Sequence, residues 1–180
     1  MRFFSFLVLL CLFTGTANAQ ETRYNKKTVI YLVRHAEKKT GQDPVLTEKG
    51  MQRSGMLMRI LFNEGISRVY VTQYRRTQLT ADILVKNKLI DTVHYLADTS
   101  GNDLLKRINE KGDWGKKILV VGHSNTLPAL IRKLGVADYL IKELPETEFD
   151  NLFLITYKKH KPGLQVKKYG EASGTSAKMQ

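Results

Sequence analysis

Two histidines stand where apolar runs end. Val29-Ile30-Tyr31-Leu32-Val33 leads into Arg34-His35-Ala36-Glu37-Lys38, and Ile118-Leu119-Val120-Val121 leads into Gly122-His123-Ser124-Asn125. A neutral imidazole is a nucleophile or proton carrier near neutral pH, and an arginine is a planar clamp for phosphate or carboxylate. One histidine at a strand end is more often a cap or a packing group than a catalyst. Two at matching ends, one preceded by arginine, point to a pocket that handles anions. Other chemistries lack their residues. The zinc-hydrolase pattern His-Glu-x-x-His does not occur. His35-Ala36-Glu37 has the first half of a zinc-deaminase pattern without its Pro-Cys-x-x-Cys half. Gly122-His123-Ser124-Asn125-Thr126 lacks the second glycine of a serine-esterase elbow, and no glycine-rich nucleotide loop occurs. Phosphate chemistry survives each of these tests.

The histidines need a scaffold that brings them together. Thr28–Val33 and Ile118–Val121 are short and β-branched, the pattern of strands buried on both faces. Further strands are predicted over 68–72 and 92–96, with a closing hairpin of 152–157 and 164–169 around Lys161-Pro162-Gly163. Helices are predicted over 48–63, 75–86, 100–111 and 126–134, and Asp138–Glu143 is read as one more helical turn. Thr47 is the expected cap of the first helix. Met51, Gly55, Met58 and Phe62 form its expected inner face, with Leu57 and Leu61 beside them. Alternating strands and helices predict an α/β fold, a three-layer αβα sandwich around a mostly parallel sheet. In such sheets ligands bind beyond the carboxyl ends of the strands. If 28–33 and 118–121 are neighbours, both imidazoles meet in one pocket.

The chain has 180 residues, enough for one domain with its own core. Residues 1–19 read as a secretory signal peptide: Met1-Arg2 is positive, Phe3–Phe13 is nearly all apolar, and Ala17-Asn18-Ala19 is a cleavage site. The apolar run is shorter than the roughly 20 residues a membrane span needs. The expected domain covers 20–170, and 171–180 is expected to be a disordered tail. Cys11 is the only cysteine and leaves with the signal peptide, so the mature chain would hold no disulfide or cysteine ligand. Export to the periplasm or outside the cell follows as an expectation, without stable membrane insertion. Lys+Arg number 29 against 17 Asp+Glu, for a net charge of +12. The lysines come in scattered pairs and no aromatic-basic nucleic-acid signature occurs. The charge therefore reads as attraction for anions in general, with no nucleic-acid partner expected.

Four segments together resemble the histidine phosphatase superfamily, which includes the cofactor-dependent phosphoglycerate mutases. Arg34-His35-Ala36-Glu37 resembles its Arg-His-Gly signature. Val45-Leu46-Thr47-Glu48-Lys49-Gly50 resembles its Leu-Thr-x-x-Gly helix start. Val69–Ala81 resembles its Ser-Pro-x-x-Arg-x-x-x-Thr-Ala segment, and Gly122-His123-Ser124-Asn125 resembles its second histidine motif. The order is as expected over Val29–Gly135. Ala36 stands for the usual glycine, and Thr72-Gln73 for Ser-Pro.

The resemblance implies a phosphoglycerate mutase-like fold and assigns roles. His35 would be the phosphoryl-accepting nucleophile, Arg34 and Arg76 would bind phosphoryl oxygens, and His123 would be a further donor. Asn125 would offer a backbone N–H at the next helix, and Arg75 is a second arginine at the helix start. The general acid has three candidates, Glu37, Asp98 and Asp103, each of which also reads as an ordinary surface or capping carboxylate. No metal or other cofactor is implied. The segment from Leu96 to Trp114 is too brief for a large lid, so an open pocket is expected. That suits a phosphatase acting on a small-molecule or surface-attached phosphorylated substrate better than a mutase. A non-catalytic phosphate-binding protein and a basic exported protein that binds anionic polymers are the rival readings.

Overall fold

A computed structural model describes residues 27–158 and 161–173. The signal-peptide segment, His160 and residues 174–180 lie outside the described residues. The strands are β1 (Val29–Arg34), β2 (Arg68–Thr72), β3 (Thr92–Tyr95), β4 (Lys117–Gly122), β5 (Asn151–Lys158) and β6 (Lys161–Lys168). The helices are α1 (Glu48–Leu61), α2 (Arg75–Lys88), α3 (Asn102–Glu110) and α4 (Leu127–Lys133). One six-stranded sheet runs in the order β3-β2-β4-β1-β5-β6. The first four strands of that order are parallel, and the closing hairpin adds β5 and β6 antiparallel.

The β-branched strands bury both faces, as a parallel sheet must. Ile30, Leu32, Tyr70, Ile118 and Val120 pack with Leu104, Ile108, Leu127 and Leu130 of α3 and α4. Val29, Tyr31, Val33, Val69 and Val121 pack with Leu57, Leu61, Ala81 and Leu84 of α1 and α2. The αβα sandwich is therefore built as expected. β1 and β4 are direct neighbours, with Arg34 opposite Gly122. The His35 N–H donates to the Gly122 carbonyl at 2.9 Å. The two histidines thus leave adjacent strands at the same level.

Several local expectations are corrected. The inner face of α1 is Gly50, Arg53, Ser54, Leu57 and Leu61, not the Met51/Gly55/Met58/Phe62 stripe; Met51 and Phe62 are exposed. The cause is Arg53, a charged residue that the apolar pattern places outside and that an ion pair holds inside. Residues 138–143 form no helix. Arg132 Nη1 donates to the carbonyls of Tyr139 (3.1 Å) and Ile141 (2.8 Å), and so holds this stretch against the end of α4. Lys161-Pro162-Gly163 belongs to β6 rather than to the turn, with Pro162 opposite Tyr157. An edge strand tolerates proline because the missing N–H need not enter the ladder. The first residues of the expected tail are also held: the Glu171 carbonyl accepts from Arg53, and the Ser173 N–H donates to Asp150.

Candidate active site

His35 begins the loop after β1. Its ring is buried and its Nδ1 lies 2.8 Å from the Ala36 carbonyl. A carbonyl can only accept, so Nδ1 carries the proton and Nε2 keeps the lone pair. The Ala36 N–H donates to Thr80 Oγ1 at 2.9 Å, and that hydroxyl donates in turn to the Arg76 carbonyl at 2.7 Å. One threonine therefore ties the loop carrying His35 to the helix carrying Arg76. The Glu37 carbonyl accepts from the Thr47 N–H at 2.9 Å, and Gly50 lies so close that a Cβ there would be 2.1 Å from that oxygen. The Leu-Thr-x-x-Gly segment is thus a brace for the histidine loop, and Gly50 is glycine because nothing larger fits.

His123 faces His35 with ring centroids 5.4 Å apart at 61°. Its Nδ1 lies 3.4 Å from Arg76 Nη2, and its Nε2 lies 3.0 Å from Thr72 Oγ1. A guanidinium only donates, so Nδ1 accepts and Nε2–H donates to Thr72. The proton chain continues from Thr72 to Thr77 Oγ1 (3.0 Å) and from Thr77 to the Tyr74 carbonyl (2.8 Å). Thr72 stands where the superfamily pattern has serine, and its hydroxyl fixes the tautomer of His123. His123 therefore donates its one proton to Thr72 and accepts from Arg76.

Burial first, then Arg34, Arg76 and Lys38, push His35 down to about 4. Burial first, then His35 and the two arginines, push His123 down to about 3. Both imidazoles are neutral at neutral pH, because a buried cation beside two guanidinium groups is disfavoured. A neutral, oriented Nε2 among positive charges is an arrangement suited to attack on an anionic phosphorus centre.

Each arginine is backed by an aromatic ring. Arg34 Cζ lies 4.3 Å from the Phe149 ring centroid, and Arg76 Cζ lies 4.2 Å from that of Tyr74. Arg76 also has Asp43 at 4.0 Å. Arg34 Nη1 donates to the carbonyls of Pro145 (2.9 Å) and Glu148 (3.2 Å), and its Nη2 to Glu146 Oε2 (2.5 Å). Glu146 Oε1 accepts from Ser124 Oγ at 2.6 Å. Ser124 and Arg34 hold the Glu146 carboxyl below its usual range.

The other sequence candidates fall elsewhere. The Arg75 side chain is exposed and its backbone N–H donates to Asp43. Asn125 is exposed in the turn after His123; α4, with seven residues, begins two positions later. Glu37 is locked onto Arg53, whose Nε and Nη2 reach both its oxygens at 2.8–3.1 Å. Asp98 accepts from Ser100 and Gly101, which keeps it ionised below its usual range. Asp103 accepts from the Leu96 N–H and pairs with Arg107. All three carboxylates expected as candidate acids are engaged in holding loops, and none of these contacts brings one to the imidazoles. Sequence reasoning missed Glu146. The available signal was four acidic residues, Glu143, Glu146, Glu148 and Asp150, within one short stretch of a strongly basic chain. Among the described residues no group of three or more His, Cys, Asp or Glu side chains could hold a metal ion, and no helix is long and apolar enough to cross a membrane.

Residues 30–99 match the histidine phosphatase superfamily (branch 1). A solved structure described as an α-ribazole-5′-P phosphatase from Escherichia coli is similar with a TM-score of 0.61 and 15% identity, over 78% of this chain and 96% of that one. The family model matches the segment that carries His35 and Arg76, and the solved structure shares the fold. Two further solved structures of this fold are similar. One is described as the phosphohistidine phosphatase SixA from Agrobacterium tumefaciens (TM-score 0.59, 18% identity, 79% of this chain and 97% of that one). The other is a phosphoglycerate mutase from Bacillus anthracis (TM-score 0.58, 18% identity, 82% and 94%). No curated protein sequence matches. At these identities the structural likeness is one of fold. The matched span holds the first three superfamily motifs; His123 lies beyond it and joins them because β4 lies beside β1.

Proposed function

We propose that the protein is an exported phosphatase that hydrolyses phosphomonoesters or related phospho-compounds through a phosphohistidine on His35. The observation that carries this reading is the His35 ring itself. Its Nδ1–H is committed to the Ala36 carbonyl and its Nε2 is unprotonated, and it faces His123 in a pocket flanked by Arg34 and Arg76. In the first step the Nε2 lone pair forms a P–N bond as the P–O bond to the leaving group breaks. The leaving oxygen takes up a proton from solvent water. In the second step water attacks phosphorus, the P–N bond breaks, and inorganic phosphate forms with neutral His35 restored. Arg34 and Arg76 neutralise the phosphoryl oxygens, the largest demand of this chemistry. A phosphoryl dianion beside His123 favours the protonated imidazole, which then donates to it.

The substrate in this reading is a small-molecule or surface-attached phosphate. The stretch from Leu96 to Trp114 is too brief for a large lid, which supports hydrolysis over a mutase reaction that must keep its intermediate from water. The signal-like N-terminal sequence supports export. The test is turnover of p-nitrophenyl phosphate by wild type and His35→Ala, with trapping of acid-labile phosphate on the wild-type chain. Turnover and trapping in wild type alone are expected; equal turnover in both would sink the mechanism. Phosphate binding without turnover in either would favour the non-catalytic reading.

A further inference from the structure

The loop between α4 and β5 wraps the catalytic-side arginine. The Leu144 N–H donates to the Ser124 carbonyl at 3.0 Å and fixes the loop beside the second histidine motif. Pro145 and Glu148 then take Arg34 Nη1 with their carbonyls, and Phe149 covers the guanidinium plane. Arg34 Nε is buried without a hydrogen-bond partner. Of the donors of Arg34, Nη2 is the one that meets an anion, and that anion is Glu146. The Arg34 side chain is 3% exposed while that of Glu146 is 70% exposed. The carboxylate therefore reaches the arginine from solvent, and can return to solvent by side-chain rotation without disturbing the core.

We propose that Glu146 is a specificity-determining residue: it occupies the anion seat of Arg34, and a substrate phosphoryl group enters by displacing it. The inference rests on the phosphatase reading of the pocket. A carboxylate with one negative charge and a phosphoryl dianion compete for the same Nη2, so the seat passes to the more highly charged group. Phosphomonoester dianions are admitted, while monoanionic phosphodiesters are held back. Ser124 Oγ, bonded to the other carboxylate oxygen, keeps the competitor aimed at the seat. No segment beyond this loop is needed for the selection, which fits the brevity of the stretch between β3 and β4.

The test compares wild type, Glu146→Gln and Ser124→Ala, using inorganic phosphate and orthovanadate as inhibitors and p-nitrophenyl phosphate as substrate. A charge-assisted hydrogen bond to a buried guanidinium is worth enough for about a tenfold change in competing affinity. In Glu146→Gln the inhibition constants and KM fall about tenfold, with kcat changing much less. Ser124→Ala shifts them the same way by about threefold, because the carboxylate loses its anchor. Unchanged or weakened phosphate affinity in Glu146→Gln overturns the proposal. So does a kcat loss that grows as the leaving group becomes poorer while KM stays constant, the mark of a proton donor. A wild type that neither turns over p-nitrophenyl phosphate nor binds phosphate defeats the phosphatase reading itself. A competent wild type with an unaltered Glu146→Gln twin defeats only the role of Glu146.

Discussion

Replacing Arg53 with methionine should unfasten the histidine loop from the far side of the molecule. The Arg53 side chain is 1% exposed and that of Glu37 13%. Nε and Nη2 hold both Glu37 oxygens, Nη1 donates to the Tyr169 carbonyl at 3.0 Å, and Nη2 also reaches the Glu171 carbonyl at 2.9 Å. Methionine keeps the apolar stem and removes every one of these donors. The Glu37 carboxylate and the Tyr169 carbonyl would then be nearly buried without their partner. Removing one member of a buried pair costs about 3–5 kcal/mol, and the partial water access of Glu37 places this case near 3. For a domain of this size that is a fall of roughly 6–12 °C in Tm. Urea unfolding of wild type, Arg53→Met, Glu37→Gln and the double variant gives the coupling directly. The double variant should be less damaged than the sum of the singles by about 1.5 kcal/mol or more. A loss below about 1 kcal/mol for Arg53→Met, or strict additivity, would refute the view that this pair holds the loop. Activity adds a second readout. Glu37 is two residues from His35, so kcat should fall in Arg53→Met even where the protein remains folded.

Three further outcomes follow from the same geometry. Stability should fall as pH drops from about 7 to about 4, because the unfolded chain protonates its histidines near 6.5 while folded His35 resists until about 4. The unfolded state binds more protons in that window, so acid favours it, by on the order of 3 kcal/mol for His35. Denaturant midpoints that stay flat from pH 7 to 5 would contradict the buried neutral ring. Gly50→Ala should cost more than about 3 kcal/mol and most of the activity, since its Cβ would meet the Glu37 carbonyl at 2.1 Å. Gly55→Ala on the same helix, with nothing within 4 Å, should stabilise the protein by about 0.5–1 kcal/mol in thermal unfolding.

How much of this was legible in the sequence differs from residue to residue. The strands were legible because a β-branched run that ends abruptly is a local pattern. The pairing of β1 with β4 was an inference from the two matching ends, and the sheet makes it a contact through the His35 N–H to the Gly122 carbonyl. The inner face of α1 was misread because its period includes a charged residue. Arg53 is tolerated inside only because Glu37, sixteen positions earlier, and two carbonyls from the chain's far end come to meet it. Glu146 was missed for a related reason. It lies in a loop without periodicity, and its partners Arg34 and Ser124 are 112 and 22 residues away.

The sequence alone determined which groups the protein owns: two strand-end histidines, two arginines in superfamily motifs, a threonine-glycine helix start, and an excess of positive charge. These are properties of residue type and short spacing, which propensity and periodicity express directly. The tertiary structure decided the state of those groups. Hydrogen-bond partners from distant segments fixed which nitrogen of His35 keeps its lone pair, and they turned His123 toward Thr72 and Arg76. They committed Glu37, Asp98 and Asp103 to holding loops, and they placed Glu146 on Arg34. Burial and the field of neighbouring charges set protonation, and both depend on what the fold brings within a few ångströms.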